Sequence, residues 1–250
     1  FCLMLFISSI NNDFITRSVL PLFFIFFLLL SLVPIIGVEV KGAKRWLNFY
    51  FFSFQPIEFI KPFFILIIAK VISSNNFKNL NISYIISFFI LSSIIFLLII
   101  QPDLGQSVLL ITTWLSLIFV SGMNLYFIFS LGILVILGFT SLVFFSPDKF
   151  NYILNRVSSF VDPSKGDGSQ SQKAIDAIRL GGLKGQGMGE GILKDSVPEA
   201  HTDYIIAVIS EEFGSIISIL IICIFLFIAL RLTKIIINTN NNFYKLSLSG

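Results

Sequence analysis

Charged residues are scarce in this chain. Only 12% of its 250 residues are Asp, Glu, Lys or Arg, whereas 56% are hydrophobic, and the mean hydropathy is +0.93. This composition is too apolar for a soluble domain and indicates a helical membrane protein. The net charge of +3 is too small to indicate nucleic-acid binding, and we expect no nucleic-acid partner.

Cysteine and histidine are almost absent as well. Cys2 and Cys223 lie in separate apolar runs, so neither a disulfide framework nor a metal site is implied. His201 is the single histidine, and one histidine without cysteine partners argues against a zinc site. A structural role and direct substrate contact both remain open for His201.

Long hydrophobic runs, by contrast, dominate the sequence. About 20 apolar residues span a bilayer, and a partial first run at 1–10 lacks the features of a signal peptide. Six further spans are predicted at 19–37, 56–72, 84–100, 102–121, 125–145 and 204–230. We therefore predict an all-α, polytopic helical membrane protein with a single transmembrane domain over 1–250 and one long loop at 146–203.

Successive spans alternate direction, so the joints between them fall on two faces. One face is predicted to carry the joint 39–55, the joint at 101 and the long loop. The opposite face carries the joints 11–18, 73–83 and 122–124 and the tail after 230. Basic residues occur on both faces, so the positive-inside rule does not decide the orientation.

Three helices are predicted to begin on the first of these faces. Two of them open with proline at the first helical position, at Pro56 and Pro102, and carry Glu58 and Asp103 in the first turn. The basic residues nearest to these helix ends are Lys44, Arg45 and Lys61. Positive helix ends together with these cations can seat a phosphate or a diphosphate.

Several of these residues admit a structural alternative. Glu58 and Lys61 stand at i and i+3, so they can form an ion pair that is purely structural or one that shapes a pocket. Asp103 can be a first-turn dipole residue or a functional group. Interfacial anchoring and diphosphate binding are both open for the cations beside Trp46, which are Lys44 and Arg45.

The long loop contains two further patterns. Residues 170–180 have apolar side chains at helical spacing, which predicts an amphipathic helix on the membrane surface or over a cavity. Residues 181–191 contain six glycines without P-loop spacing, so they form either a phosphate cradle or a flexible or tightly packed turn. In the last span, Glu211 and Glu212 point about 100° apart, so at most one can face a cavity.

The ordered motifs resemble one family across nearly the whole chain. They are KGAKRW at 41–46, QPIE at 55–58, QPDLG at 101–105, GGLKGQGMG at 181–189 and PEAHTD at 198–203. This order is similar to that of SEDS proteins (shape, elongation, division and sporulation), which include FtsW, RodA and SpoVE. The chain resembles the FtsW type more than the RodA type, since Ala200 stands where RodA-like sequences usually carry a basic residue. Ile57 departs from the usual Ser.

The resemblance implies a ten-helix peptidoglycan glycosyltransferase of the bacterial cytoplasmic (inner) membrane. On that alignment the chain is a fragment with about seven helices, without the first, ninth and tenth. The implied substrate is lipid II, the undecaprenyl-diphosphate-linked disaccharide pentapeptide, reached from the periplasm, where the motif loops would lie. The implied partners are a class B penicillin-binding transpeptidase and other divisome proteins. No cofactor is certain, although Mg²⁺ or Mn²⁺ can accompany the diphosphate.

The resemblance also assigns roles to residues. Asp203 matches the family's proposed catalytic aspartate and is expected to be the general base, whereas its structural alternative is to cap the eighth helix. The expected substrate-binding residues are Lys44, Arg45, Glu58, Lys61, Gln101, Asp103, Glu199, His201 and Thr202.

Two other functions are compatible with the sequence. An elongation polymerase of the RodA type would use the same chemistry. A flippase or transporter of the lipid-linked precursor would also use buried charges and broken helices, but the sequence shows no internal repeat of the kind that transporters carry. A non-catalytic scaffold would leave the clustered polar residues unexplained.

Overall fold

The structure is a computed structural model that divides into two compact units. Unit 1 comprises residues 1–137 and 235–250, and unit 2 comprises residues 138–234. The residues that the structure describes are 5, 9–10, 12–40, 43–49, 52–74, 80–124, 126, 130, 132–133, 137–138, 140, 170–192 and 204–250.

Eight helices and three strands are defined within these residues. The helices are α1 (Asn12–Ile36), α2 (Pro56–Ser73), α3 (Leu80–Ile100), α4 (Leu104–Val120), α5 (Gln170–Gly181), α6 (Ile205–Phe213), α7 (Ser215–Asn238) and α8 (Asn242–Ser249). The strands are β1 (Val38–Val40), β2 (Ala43–Phe49) and β3 (Phe52–Phe54).

The prediction of a helical membrane protein is confirmed. Within the described residues, α1, α3 and α7 are long and apolar enough to cross a bilayer, and α4 is a shorter apolar helix. Helix α2 matches the span predicted at 56–72, whereas α1 begins at Asn12, inside the predicted joint 11–18. The predicted spans 1–10 and 125–145 lie largely outside the described residues.

The joint 39–55, expected from the sequence as a polar connection between two spans, contains strands that the sequence analysis did not predict. It forms a three-stranded antiparallel sheet in the order β1-β2-β3, with Glu39 opposite Lys44 and Asn48 opposite Ser53. The segment is rich in Val, Phe and Trp, which favour strands, and it is too short to cross the bilayer. The buried side chain of Leu47 fixes β2 against the helices.

The core of unit 1 is built from α1, α2, α3, α4 and α8. Its fully buried side chains include Phe64 of α2, Leu98 of α3 and Trp114 of α4. The indole Nε1 of Trp114 donates to the Ser87 hydroxyl at 3.1 Å, so this large side chain is buried with its polar atom satisfied. Helix α8 inserts Leu246 into the same core.

A proline in α1 leaves one backbone carbonyl of this helix without its usual hydrogen-bond donor. A side chain from the turn between α3 and α4 supplies the donor instead. Pro34 lacks the N–H that would bind the carbonyl of Leu30, four residues earlier. The side-chain amide of Gln101, which is 2% exposed, donates to this carbonyl at 3.1 Å. Gln101 therefore ties the turn between α3 and α4 to α1. Its expected substrate-binding role stays a prediction beside this packing role.

We expect Gln101→Leu to destabilise the protein by about 1–3 kcal/mol, because the Leu30 carbonyl then stays buried without a partner. In a Pro34→Ala background the new N–H of residue 34 satisfies the same carbonyl, so the cost of Gln101→Leu should fall. Thermal unfolding in detergent of the four variants gives this coupling free energy. Strictly additive losses would disprove the link between Pro34 and Gln101.

The last predicted span, 204–230, is interrupted, and its prediction as one helix is wrong. Gly214 has φ of 85° and ψ of 166°, which ends α6 before α7 begins. The hydroxyls of Ser210 and Ser218 lie 2.7 Å apart, whereas eight residues of a continuous helix rise about 12 Å. The chain therefore bends sharply at Gly214.

Because of the bend, the membrane-spanning helix begins and ends later in the sequence than the predicted span 204–230. Helix α7 has 24 residues, a length of about 36 Å, which alone suffices to cross a bilayer. Arg231 and Lys234, predicted to follow the span, lie within α7. The nine residues of α6 form a separate short helix before the span.

Candidate functional site

In unit 1, the first turns of α2 and α4 lie side by side. The Gln55 side-chain amide donates to Asp103 Oδ2 at 3.3 Å, and the Gln106 amide donates to Glu58 Oε1 at 2.9 Å. Along α2 the contacting residues are three positions apart, and along α4 their partners follow in the same order at the same spacing. The two helices therefore start side by side and run in the same direction. Span alternation predicted that both would begin on one face, and these contacts confirm it.

The start of α4 differs in one detail from its prediction. Pro56 does occupy the first turn of α2, with Gln55 at the N-cap. Pro102, however, precedes α4, which begins at Leu104 with Asp103 at the N-cap position. The backbone carbonyl of Asp103 accepts hydrogen bonds from the N–H and the hydroxyl of Ser107, so the backbone at Asp103 starts the helix while its carboxylate faces Gln55.

Arg45 connects the sheet to this pair of helix starts. Its Nη2 donates to the carbonyl of Pro102 at 2.7 Å, and its Nε lies 3.8 Å from Asp103 Oδ2. Lys44 lies opposite Glu39 in the β1–β2 register, and Arg45 falls at the irregularity between this pair and the pair Val38–Trp46. The grouping of Lys44 with Arg45 and Lys61 stays a prediction for Lys44.

The ion pair predicted on α2 is present. Lys61 Nζ lies 2.5 Å from Glu58 Oε2, and the other oxygen of this carboxylate accepts from Gln106. We call Arg45, Gln55, Glu58, Lys61, Asp103 and Gln106 the polar cluster. Two cations and two carboxylates balance within it, so charged groups can sit together at the end of apolar helices.

Asp103 is the most buried charge of the polar cluster, with 6% of its surface exposed. Burial raises the pKa of Asp103 above its ordinary value, and the nearby Arg45 guanidinium opposes this shift. Asp103 therefore takes up a proton more readily than an exposed aspartate. As the pH falls through that range, the native state gains stability from this group relative to the unfolded state, because its folded pKa is the higher one.

The polar cluster retains capacity to bind an anion. Arg45 Nε is buried and has no hydrogen-bond partner among the residues the structure describes. Lys61 has three N–H donors, and its pairing with Glu58 does not use them all. Within the described part of the chain, no group of three or more His, Cys, Asp or Glu side chains could hold a metal ion. The two carboxylates of the polar cluster, Asp103 and Glu58, are already paired with Arg45 and Lys61.

In unit 2, the amphipathic helix predicted at 170–180 is present as α5. It packs through small residues, since Ala174 and Ala177 contact Ala207 of α6 in one buried cluster. Ile175 and Ile178, predicted to share an apolar face with Ala174, remain about 40% exposed. The packing face of α5 is therefore its alanine stripe, which also ends in Gly181.

The glycine-rich segment after α5 packs tightly against the end of α6. The N–H of Gln186 donates to the carbonyl of Glu211 at 2.9 Å, and the N–H of Gly187 donates to that of Glu212 at 3.0 Å. In return, the N–H of Ser215 donates to the carbonyl of Gly182 at 2.9 Å. Of the two alternatives left open by the sequence, the structure supports a tightly packed turn.

Glycine is required at two of these positions. A Cβ on Gly181 would lie 1.9 Å from the carbonyl oxygen of Ser210, and one on Gly185 would lie 2.2 Å from that of Glu212. Gly185 also has φ of 81°, which disfavours other residues. We call the segment 181–187, with its hydrogen bonds to 211, 212 and 215, the glycine clamp.

The two adjacent glutamates of α6 occupy different environments. Glu211 is fully buried, and its carboxylate lies beside Gly191, whereas Glu212 is partly exposed. This difference follows from their separation of about 100° around the helix, as the sequence predicted.

Four predicted site residues lie outside the described residues: Glu199, His201, Thr202 and Asp203. The residue at the N-cap of α6 is Tyr204, whose own side chain makes no capping hydrogen bond. The alternative role of Asp203 as the N-cap would require α6 to begin one residue earlier than it does. Sequence reasoning missed Gln106; the available signal was its spacing, because it follows Asp103 by three residues, as Glu58 follows Gln55.

Comparisons with known proteins agree with these features. A family model described as "Cell cycle protein", covering FtsW, RodA and SpoVE, matches residues 1–250. "Probable peptidoglycan glycosyltransferase FtsW" of Caulobacter vibrioides is 33% identical over 99% of this chain and 63% of its own length. The same-named protein of Wigglesworthia glossinidia brevipalpis is 36% identical over 89% of this chain and 58% of its own length. The chain thus spans about three fifths of these relatives.

A solved structure shares the fold. A chain of a peptidoglycan synthase complex superposes with a TM-score of 0.75 at 22% identity, over 98% of this chain and 69% of that one. The family match over the full length, the relatives above 30% identity and this shared fold give one answer. The chain belongs to the FtsW/RodA/SpoVE family of integral membrane proteins, the SEDS family.

Proposed function

We propose that the protein containing this chain is a peptidoglycan glycosyltransferase that polymerises lipid II into glycan strands during cell division. Membership of the family and the names of the FtsW relatives support this function. The observation that carries it is the polar cluster, in which Arg45 and Lys61 offer N–H donors at two parallel helix starts. Cations beside helix N-termini suit the diphosphate of a lipid-linked sugar.

The proposed chemistry needs a general base and a site that stabilises the leaving diphosphate. Asp203 accepts the proton of the acceptor 4-hydroxyl as that oxygen attacks the anomeric carbon of the donor sugar. The bond from this carbon to the diphosphate breaks, and the configuration at the carbon inverts. Arg45 and Lys61 stabilise the charge that develops on the departing diphosphate. Glu199, His201 and Thr202 are proposed to contact the substrate near Asp203.

A diphosphate that reaches the polar cluster must compete with Asp103 and Glu58 for the two cations. This competition favours a ligand with several negative oxygens over a monoanion, because one carboxylate already neutralises each cation. A Mg²⁺ or Mn²⁺ ion is proposed to accompany the diphosphate.

We place the polar cluster at the periplasmic side of the inner membrane, where an externalised lipid precursor is available. The proposed partner is a class B penicillin-binding transpeptidase, which would cross-link the new strands together with other divisome proteins. The structural neighbour belongs to a peptidoglycan synthase complex in which polymerization and crosslinking are coordinated, and this relationship supports such a pairing.

A second function, a flippase of the lipid-linked precursor, is favoured by one observation. Discontinuous helices such as α6 and α7 also occur at the substrate sites of transporters. The two functions differ in product, since a flippase moves lipid II across a vesicle without joining sugars. An elongation role in place of division would change the partner and not the reaction.

The proposal is tested by incubating the purified complete protein with lipid II in detergent and in vesicles. We expect glycan polymer, and we expect Arg45→Met to lower the rate about 10²- to 10³-fold, as loss of a donor to developing charge does. Lys173→Met, an exposed cation of α5, is the matched control and should retain the rate. Lipid II translocation without polymer would contradict the polymerase and support the flippase.

A further inference from the structure

Helix α6 does not continue the axis of the membrane-spanning helix that follows it. Gly214 interrupts the helix with a left-handed φ, and the hydroxyls of Ser210 and Ser218 are hydrogen-bonded across the break. A helix of nine residues is marginal by itself, because helix formation needs longer segments or tertiary support. Whatever fixes α6 must therefore come from outside it.

Besides the hydrogen bond between the hydroxyls of Ser210 and Ser218 of α7, the supports for α6 come from one neighbouring segment of the chain. Ala174 and Ala177 of α5 pack on Ala207, near the first turn of α6. The glycine clamp, which continues directly from α5, binds the carbonyls at the last turn. The clamp also accepts from Ser215, the first residue of α7, so it holds both sides of the break at Gly214.

The hydrogen bonds of the glycine clamp require its backbone to lie directly against the backbone at the end of α6. A Cβ on Gly181 would lie 2.7 Å from the Cα of Glu211, and a Cβ on Gly214 would lie 2.2 Å from the carbonyl oxygen of Leu183. These obstacles are backbone atoms, which cannot move aside as the end of a side chain can. A single added methyl group must push α6 and the clamp apart.

We propose that the glycine clamp is the positioning device of the active site: it fixes the direction of α6 and thereby places Asp203, which precedes the first turn of α6 in sequence. The proposal rests on the function proposed above. Residues of the clamp are positioning residues, since they act through α6 and do not touch the reacting atoms. A base displaced by about 1 Å can lose 10²-fold in rate.

The experiment compares Gly181→Ala with Gly189→Asn in the complete protein. Gly189 also has a positive φ, of 85°, but no atom lies within 4 Å of its Cβ, and Asn tolerates this conformation. We expect Gly181→Ala to lower kcat for lipid II polymerisation about 10- to 100-fold with little change in KM. Gly189→Asn should leave both within about twofold, since surface changes usually have small effects.

A disulfide across the bend supplies a readout that does not depend on activity. The Ser210 and Ser218 hydroxyls are 2.7 Å apart, so cysteines at both positions are within disulfide range while α6 keeps its direction. In a background with Cys2→Ala and Cys223→Ala, we expect fast oxidation of this pair. Adding Gly181→Ala should slow it, and the oxidised protein should regain most of the lost kcat.

Ser215→Pro tests the clamp without adding a clash. Proline is tolerated at the first position of a helix, and there it removes only the N–H that binds Gly182. We expect a roughly three- to tenfold loss of kcat in a protein that folds normally, in line with the net loss of one hydrogen bond. This variant keeps the proposal testable if Gly181→Ala does not fold.

Three results would overturn the proposal. They are unchanged kcat in both Gly181→Ala and Ser215→Pro, unchanged oxidation of the cysteine pair in Gly181→Ala, and no recovery of kcat on oxidation. Failure of the proposed function has a different signature, because an inactive wild-type protein would still show the effect of Gly181→Ala on cysteine oxidation.

Discussion

Asp203→Asn in the complete protein is expected to abolish lipid II polymerisation while membrane insertion and thermal unfolding remain as in the wild type. A general base contributes about 10²- to 10⁴-fold to a rate, and an amide cannot accept the proton of the acceptor hydroxyl at neutral pH. The measurement is polymer formed per minute by purified protein, with the unfolding midpoint recorded on the same preparation.

The choice of Asn separates the base from the structural alternative. Asn is as good an N-cap as Asp, so a protein that needs only a cap at this position would keep its activity and stability. Asp203→Ala, in contrast, should cost about 1 kcal/mol of stability if the residue is a cap. Near-wild-type polymerisation by Asp203→Asn would thus reduce Asp203 to a structural residue.

Asp176→Asn is the matched control for this experiment. Asp176 lies on α5, where it accepts from Gln172 at 3.1 Å and lies 3.8 Å from Arg179, a well-exposed residue. An exposed ion pair of this kind contributes little to stability. We expect polymerisation by Asp176→Asn to stay within about twofold of wild type, as for most surface substitutions.

The parallel starts of α2 and α4 could be derived from the sequence. Hydropathy located the spans, alternation assigned their ends to faces, and helical spacing paired Glu58 with Lys61. Each of these inferences depends either on a strong periodic pattern of hydropathy or on residues that are close together within one helix. The contacts Gln55–Asp103 and Gln106–Glu58 then follow once the two helix starts lie side by side.

The bend at Gly214 could not be derived in the same way. The segments 204–209 and 216–230 are largely apolar, so hydropathy reads one continuous span across the polar residues at 210–212, and glycine within a membrane helix is common. The signal that would have helped is the length of the apolar segment, since α7 alone is sufficient to cross the bilayer. The glycines at 181 and 185 were visible, but their partner was not, because it lies about 30 residues away in sequence.

Two other features depend on tertiary contacts that leave no local pattern. The amide of Gln101 binds the carbonyl that Pro34 leaves unpaired, and only the packed helices bring these residues together. The contact of Arg45 with the carbonyl of Pro102 likewise joins a strand to a helix start 57 residues further along the chain.

The side of the membrane on which the polar cluster lies determines the second large effect, which is an all-or-none difference in the labelling of two introduced cysteines. Ser53 precedes α2 on the side of the polar cluster, whereas Asn240 lies in the tail after 230, which the alternation of spans assigns to the opposite face, and both side chains are exposed. In a protein with Cys2→Ala and Cys223→Ala, we expect Ser53→Cys to react with an impermeant maleimide in intact spheroplasts. Asn240→Cys should react only after the membrane is permeabilised.

The physical reason is that the alternation of spans predicts the joint 39–55 and the tail after 230 on opposite sides of the bilayer, and a charged reagent does not enter the hydrocarbon core. Charge bias along the chain does not predict this result, so the experiment is independent of the positive-inside rule. Labelling of Asn240→Cys but not Ser53→Cys in intact cells would place Arg45 and Lys61 in the cytoplasm. A polymerase of externalised lipid II would then be excluded, because its diphosphate site would face the wrong compartment.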